Sequence, residues 1–321
     1  MIINLKSVKE TSLKVVSHLY FRLAFTALLL WYIYRQIDMN QLMDALHKVN
    51  YAYLPWTVLI ILGYWALNVT SLYFLLLPIG RVNFSEFFKH QLESIILGSV
   101  TPMQLGEAAI FVYLKRINFP LQKTLSAFFF NKVSHYLMML LSGFLFLYYV
   151  KFNYSSLLFG SLVALILLVP IVVGTGLRTI IRDLVVKKYL FRYYAFFELT
   201  SDYLRKHRGC LLLNGLFNFL KIIDCGLEIW LILLIFNVHG NFLLFLSVYN
   251  LCRILALVPV SISGLGVLEG GAALALSRLG YEYSAVILAM FFLRVVALLM
   301  SAFFLSFCLL QRRMATNETG A

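Results

Sequence analysis

Ten ionisable side chains stand in stretches of this sequence that are otherwise almost wholly apolar: Arg22, Glu93, Glu107, Lys132, Lys221, Asp224, Glu228, Arg253, Glu269 and Arg294. His135 joins them. A charge near the middle of a hydrocarbon layer costs about 2.5–3.5 kcal/mol, so such residues need partners or water. The bases Lys132, Arg253 and Arg294 could meet the acids Glu93, Glu107, Glu228 and Glu269. The same bases are suited to gripping phosphate, with Glu107 and Glu269 holding them when no ligand is bound. The plainer reading is a set of buried structural ion pairs, whose loss would destabilise the fold.

The segment 209–236 concentrates the problem. Its Lys221, Asp224 and Glu228 cost about 8–10 kcal/mol together, which its Leu, Ile and Phe residues offset by about 8. Asn214, Asn218, Lys221, Asp224 and Glu228 recur at helical spacing and share one face. Lys221 is expected to pair with Asp224 on the same helix, leaving Glu228 to find a base elsewhere. A second stripe carries Asn131, His135 and Ser142, with Lys132 beside it. The candidate binding set is therefore Lys132, Arg253, Arg294, Glu107, Glu269, Lys221, Asp224, Glu228, Asn131 and His135. Cys210, Cys225, Cys252 and Cys308 lie in apolar stretches with no metal-ligand or disulfide spacing. No DxxD or HxxxxD pattern occurs. No metal, cofactor or catalytic residue is expected, and the chain reads as a non-enzyme.

The elements that must position these residues are membrane helices. Of 321 residues, 62% are hydrophobic and 13% charged, with a mean hydropathy of +0.87. That excludes a water-soluble surface, disorder and coiled coil. The fold class is an all-α polytopic membrane protein, one domain over 1–310, with six full spans near 17–37, 54–77, 124–150, 156–176, 209–236 and 284–310. Two more apolar stretches, 86–114 and 242–280, are broken midway. The breaks fall at Thr101-Pro102-Met103-Gln104-Leu105-Gly106 and at Pro259-Val260-Ser261-Ile262-Ser263-Gly264-Leu265-Gly266. Proline removes a helix donor and glycine frees the backbone, so each stretch should split into two half-helices and return as a re-entrant hairpin. Half-helices beginning near Leu105 and Val267 would aim their positive ends inward.

The net charge of +13 fits basic cytoplasmic loops, and nucleic acid is not an expected partner. With both termini cytoplasmic and both broken stretches re-entrant, eighteen Lys and Arg fall on the cytoplasmic side and four outside. The first hairpin then opens to the cytoplasm and the second outward. Segment 177–208 is either a basic amphipathic helix on anionic lipid or a solvated loop. The polar tail 311–321 is expected to be disordered. Asn153 and Asn317 sit in short glycosylation patterns. The charged start leads into an anchor, with no cleavable signal.

An offset of 162 residues superposes the two broken regions, about 86–150 and 242–310. Glu107 falls on Glu269, Arg116 on Arg278 and Lys132 on Arg294. Each half reads break, acid, then base 25 residues later. Inverted repeats with broken helices are a transporter architecture; a duplication kept only for packing is the bland alternative.

Thr101 to Glu107, with a basic residue in the next helix, resembles the first signature of the lysylphosphatidylglycerol synthase transmembrane region, or flippase-like domain, family. Pro259 to Gly270 is similar to its second and more specific signature. The resemblance spans essentially the whole chain. It implies the lipid-translocating module without the soluble aminoacyl transferase domain carried by fused relatives. Where the family usually has Pro-Gly-Arg, this chain has Pro102-Met103-Gln104, and Leu268 stands where a base often precedes the acid. A differently headed lipid, phosphate-linked or sugar-bearing, therefore stays open. The expected function is translocation of an anionic or phosphate-headed lipid across the cytoplasmic membrane, with membrane lipid as partner and a homo-oligomer possible. The rivals are a membrane-embedded lipid or polyprenyl transferase and an ion-coupled solute transporter using Glu107 and Glu269.

Overall fold

The computed structural model describes residues 5–149, 206–258 and 261–318, with ten α-helices, three 3-10 segments and no strand among them. The expected span 156–176, the basic segment 177–205, Asn153, Pro259 and Val260 lie outside the described residues.

Helix α1 (Leu5–Gln36) starts well before the expected span. A short helix that periodicity did not announce, α2 (Met39–His47), follows it. Asp38 creates that start by accepting the N–H groups of Asn40 at 2.9 Å and Gln41 at 3.5 Å. Helix α3 (Leu54–Leu76) carries Pro55 in its first turn. The last helix, α10 (Tyr283–Glu318), runs through most of the segment expected to be a disordered tail. Tyr51–Leu76 and Tyr283–Cys308 are long and apolar enough to cross a membrane.

The centre of the bundle is α7 (Arg208–Ile235), which packs against α3, α6 (Leu121–Tyr149), α8 (Phe242–Leu255) and α10. Its polar stripe turns inward: Asn214, Asn218, Lys221 and Asp224 are all buried. Glycines allow the close approach. A Cβ at Gly226 would stand 2.6 Å from Leu246 Cδ1 on α8, and one at Gly63 of α3 would stand 3.2 Å from Asp224 Oδ1. Helices α3 and α7 run antiparallel, with Phe74 stacked on Phe217 at one end and the Asn50 N–H bonded to the Ile235 carbonyl at the other.

Both broken stretches fold as hairpins whose two ends meet. In the first, α4 (Phe84–Val100), a 3-10 segment (Pro102–Ala109) and α5 (Ile110–Arg116) follow one another. Its mouth is closed by the Tyr113 hydroxyl donating to Glu86 at 3.3 Å and by His90 stacked on Tyr113. In the second, α8, a 3-10 segment (Ile262–Gly264) and α9 (Val267–Ser277) do the same, and Phe245 packs edge-on against Tyr281 at the mouth. The first mouth follows the end of α3 and so lies toward the start of α7. The second follows the end of α7. The tips, where the 3-10 segments lie, pack against each other.

Each tip has its own backbone chemistry. At the first, Thr101 is extended and its Oγ1 accepts the Gly106 N–H at 2.7 Å. A Cβ at Gly106 would fall on the Leu97 carbonyl, so only glycine fits there. The chain continues as 3-10 turns to Ala109, so the half-helix expected at Leu105 becomes α-helical only at Ile110. At the second tip Ser263, Gly264 and Gly266 have positive φ of 50°, 71° and 83°, and α9 starts at Val267, where the sequence predicts it.

A polar cavity between the hairpin tips

The two acids of the repeated motif each hold the base 25 residues on. Lys132 Nζ lies 2.6 Å from both Oε1 and Oε2 of Glu107. Arg294 Nε donates to Glu269 Oε1, and its Nη1 donates to the Ser263 carbonyl at 3.3 Å. Glu269 is fully buried and also caps α9, because its Oε2 accepts the Gly266 N–H at 2.8 Å. Glu107 has no equivalent, because it sits inside the 3-10 segment.

Between the tips lies a cavity of about 260 Å³. Its polar wall includes Tyr64 of α3, Ser99 and Thr101 of the first hairpin, Glu228 of α7, Tyr249 and Arg253 of α8, and Glu269 and Arg294. Arg253 is the unusual member. Its Nη2 donates to the Tyr64 hydroxyl at 3.1 Å and its Nη1 to the Cys225 sulfur. The guanidinium lies 5.1 Å and 5.5 Å from the ring centres of Tyr64 and Tyr249, within cation–π range. Among the described residues no carboxylate is in ion-pair contact with it. A guanidinium held by neutral partners beside a cavity retains its charge for an incoming anion.

Of the expected site residues, Glu228, Arg253, Glu269 and Arg294 line this cavity. Glu107 and Lys132 stand behind it, with Glu107 Cγ only 2.6 Å from where a Gly98 Cβ would be. Asn131, His135, Lys221 and Asp224 are outside its wall. Asn131 instead accepts from Asn214 at 2.8 Å and Asn218 at 3.4 Å in a buried amide cluster. His135 Nε2 lies 3.5 Å from the Tyr64 hydroxyl.

One expected pairing is corrected. Lys221 does not pair with Asp224; its Nζ reaches across to α3, donating to Ser71 Oγ at 3.3 Å and Asn68 Oδ1 at 3.4 Å. A flexible lysine meets the acceptors its helix presses against, and α3 supplies two. On α4, Glu93 Oε2 lies 3.4 Å from His90 Nδ1, one turn earlier. Glu228, left without a base, accepts from the Tyr249 hydroxyl at 3.3 Å.

Tyr64, Asn68, Ser71 and Tyr249 were not among the sequence candidates. The first three had a readable signal, since spacings of four and three put them on one face of α3. Tyr249 had none, because an isolated tyrosine in an apolar helix looks like packing.

Apolar helices built around such costly charges define a helical membrane protein. Residues 19–304 match the family model described as the lysylphosphatidylglycerol synthase TM region, and the chain belongs to that family. No curated protein sequence matches it.

Proposed function

We propose that this chain translocates an anionic, phosphate-headed lipid across the cytoplasmic membrane as a multi-pass protein with both termini inside. In this reading the hairpins are re-entrant, inverted copies whose tips frame the path. The single observation carrying it is Arg253, a guanidinium beside the cavity whose contacts are all neutral. Arg294 stands on the same wall, with Nε on Glu269 and Nη1 on the Ser263 carbonyl, which leaves Nη2 for a ligand.

The cavity's edge suits a lipid as well as its centre suits a phosphate. Leu298 of α10 lines it and is 44% exposed. Val295, Leu299 and Phe303 continue an exposed apolar face on the same helix, along which acyl chains can lie while the head enters sideways. The family supports lipid work in general.

The test is headgroup accessibility in reconstituted vesicles of fluorescent phosphatidylglycerol. Arg253→Gln and Arg294→Ala are expected to exchange lipid about tenfold or more slowly, the effect of losing one charge-assisted bond. Rates equal to the wild type, in variants that remain folded, overturn the reading.

A further inference from the structure

Asp224 has an environment that no part of lipid binding explains. It is 8% exposed, and its Oδ2 is buried with no hydrogen-bond donor among the described residues. Its Oδ1 lies against Gly63, where even a Cβ would come within 3.2 Å. Lys221, one turn back and the obvious counter-ion, is committed to Ser71 and Asn68. One turn onward, Glu228 shares the same helix face and lines the cavity, accepting from the Tyr249 hydroxyl. Neither carboxylate is in ion-pair contact with a base among the described residues.

Two acids four residues apart thus stand near one guanidinium: Arg253 lies over the ring of Tyr249, whose hydroxyl donates to Glu228, and its Nη1 donates to Cys225, the residue after Asp224. Ionising both leaves an excess buried negative charge, and a carboxylate without donors is far more stable as the neutral acid. Tyr64 from α3, Tyr249 and Arg253 from α8, Glu269 from α9 and Arg294 from α10 stand with Glu228 around the cavity, and from α6 His135 Nε2 lies 3.5 Å from the Tyr64 hydroxyl. Lys132 and Arg294 are bound by Glu107 and Glu269.

We infer that Asp224 is a proton-binding site, loaded from the cavity through Glu228, and that its protonation is coupled to the entry of the anionic head beside Arg253. The coupling is electrostatic. With Asp224 neutral, Arg253 presents its full charge to a phosphate. With Asp224 and Glu228 both ionised, they absorb that charge and repel the ligand. Binding the proton converts one carboxylate to a carboxylic acid, and releasing it returns the proton to the cavity, so no other reactant is needed.

This inference rests on the lipid reading, and its test separates the two. Lipid exchange is measured in vesicles of fluorescent phosphatidylglycerol between pH 5.5 and 8.5. The wild-type rate is expected to fall about tenfold per pH unit above the midpoint, the signature of one required proton. Asp224→Asn, which mimics the protonated acid, is expected to give a flat profile. A flat wild-type profile, a dependence on sodium in place of pH, or an undiminished slope in Asp224→Asn overturns the inference while leaving translocation intact. No exchange at any pH overturns translocation. Infrared spectra then decide the proton site alone: the wild type should show a titrating carboxylic-acid carbonyl band that Asp224→Asn lacks, and its absence overturns the site.

Discussion

The two hairpins use one plan with different chemistry. Both place an acid at the tip and a base 25 residues on. In the first, an ammonium sits evenly across Glu107, and neither residue reaches the cavity wall. In the second, a guanidinium divides its donors between Glu269 and the Ser263 carbonyl, and both side chains face the cavity. A lysine is a point charge that one carboxylate satisfies, whereas arginine's planar fork spans several partners at once. The first pair therefore works as a fastener and the second as a fastener that also presents charge. A motif that recurs at one spacing can hold the fold in both places while only one presents its charge to a cavity.

Truncating the acids should separate the copies most strongly. Glu269→Ala removes the partner of Arg294 and the cap of α9 together. It is expected to destabilise the protein by about 3–5 kcal/mol, the range for breaking a buried pair, read as thermal unfolding in detergent. Glu107→Ala should cost less, since no helix start depends on it and Lys132 keeps the rings of Phe128 and Tyr136 at 5.8 Å and 5.9 Å. Equal losses would mean that the cap adds nothing.

Adding a methyl group to each tip sharpens the contrast in mechanism. Gly98→Ala drives a Cβ to 2.6 Å from Glu107 Cγ, an overpacking expected to cost about 1–3 kcal/mol. Gly266→Ala meets backbone strain, since φ is 83° there; about 1–2 kcal/mol is expected. Shortening Glu107 to Asp should relieve the first substitution and leave the second unchanged, which stability measurements on the double variants would check.

Exchanging the bases should have the smallest effect on stability and the most specific effect on transport. Arg294→Lys keeps a charge near Glu269 but loses the bond to Ser263, and is expected to slow lipid exchange about tenfold, the equivalent of about 1.4 kcal/mol. Lys132→Arg, away from the cavity, should leave the rate within about twofold. If both swaps slow exchange alike, the first pair contacts ligand too.

How far the sequence carried this picture can be seen residue by residue. Both breaks were visible because proline and glycine act on the backbone directly, whatever surrounds them. Helix α7's inward stripe was visible because five polar residues at helical spacing have nowhere else to go in an apolar chain. The pairing of Glu107 with Lys132 and of Glu269 with Arg294 was visible as a spacing that occurs twice. What stayed hidden depends on neighbours distant in the chain. Lys221 turned to α3 because Asn68 and Ser71 happened to lie within its reach. Thr101 kept the first tip in 3-10 turns because it accepts from Gly106, and no positive-φ residue is there to release a full helix. The role of Tyr249 arises only where α8 meets α7.

Helix α1 lies over the second tip. The Thr26 hydroxyl accepts the Ile262 N–H at 3.0 Å, and Leu29 and Ile33 close over Gly266 and Gly270, where a Cβ would stand 3.0 Å from Leu29 Cβ and from Ile33 Cδ1. Sliding one past the other would strand the Ile262 donor and undo those contacts, which opposes independent movement of the two. Trp31, on the same helix, is 55% exposed with the Arg35 guanidinium 4.9 Å from its ring centre, so a Trp31→Phe difference spectrum would isolate the one indole that stands on this clamp.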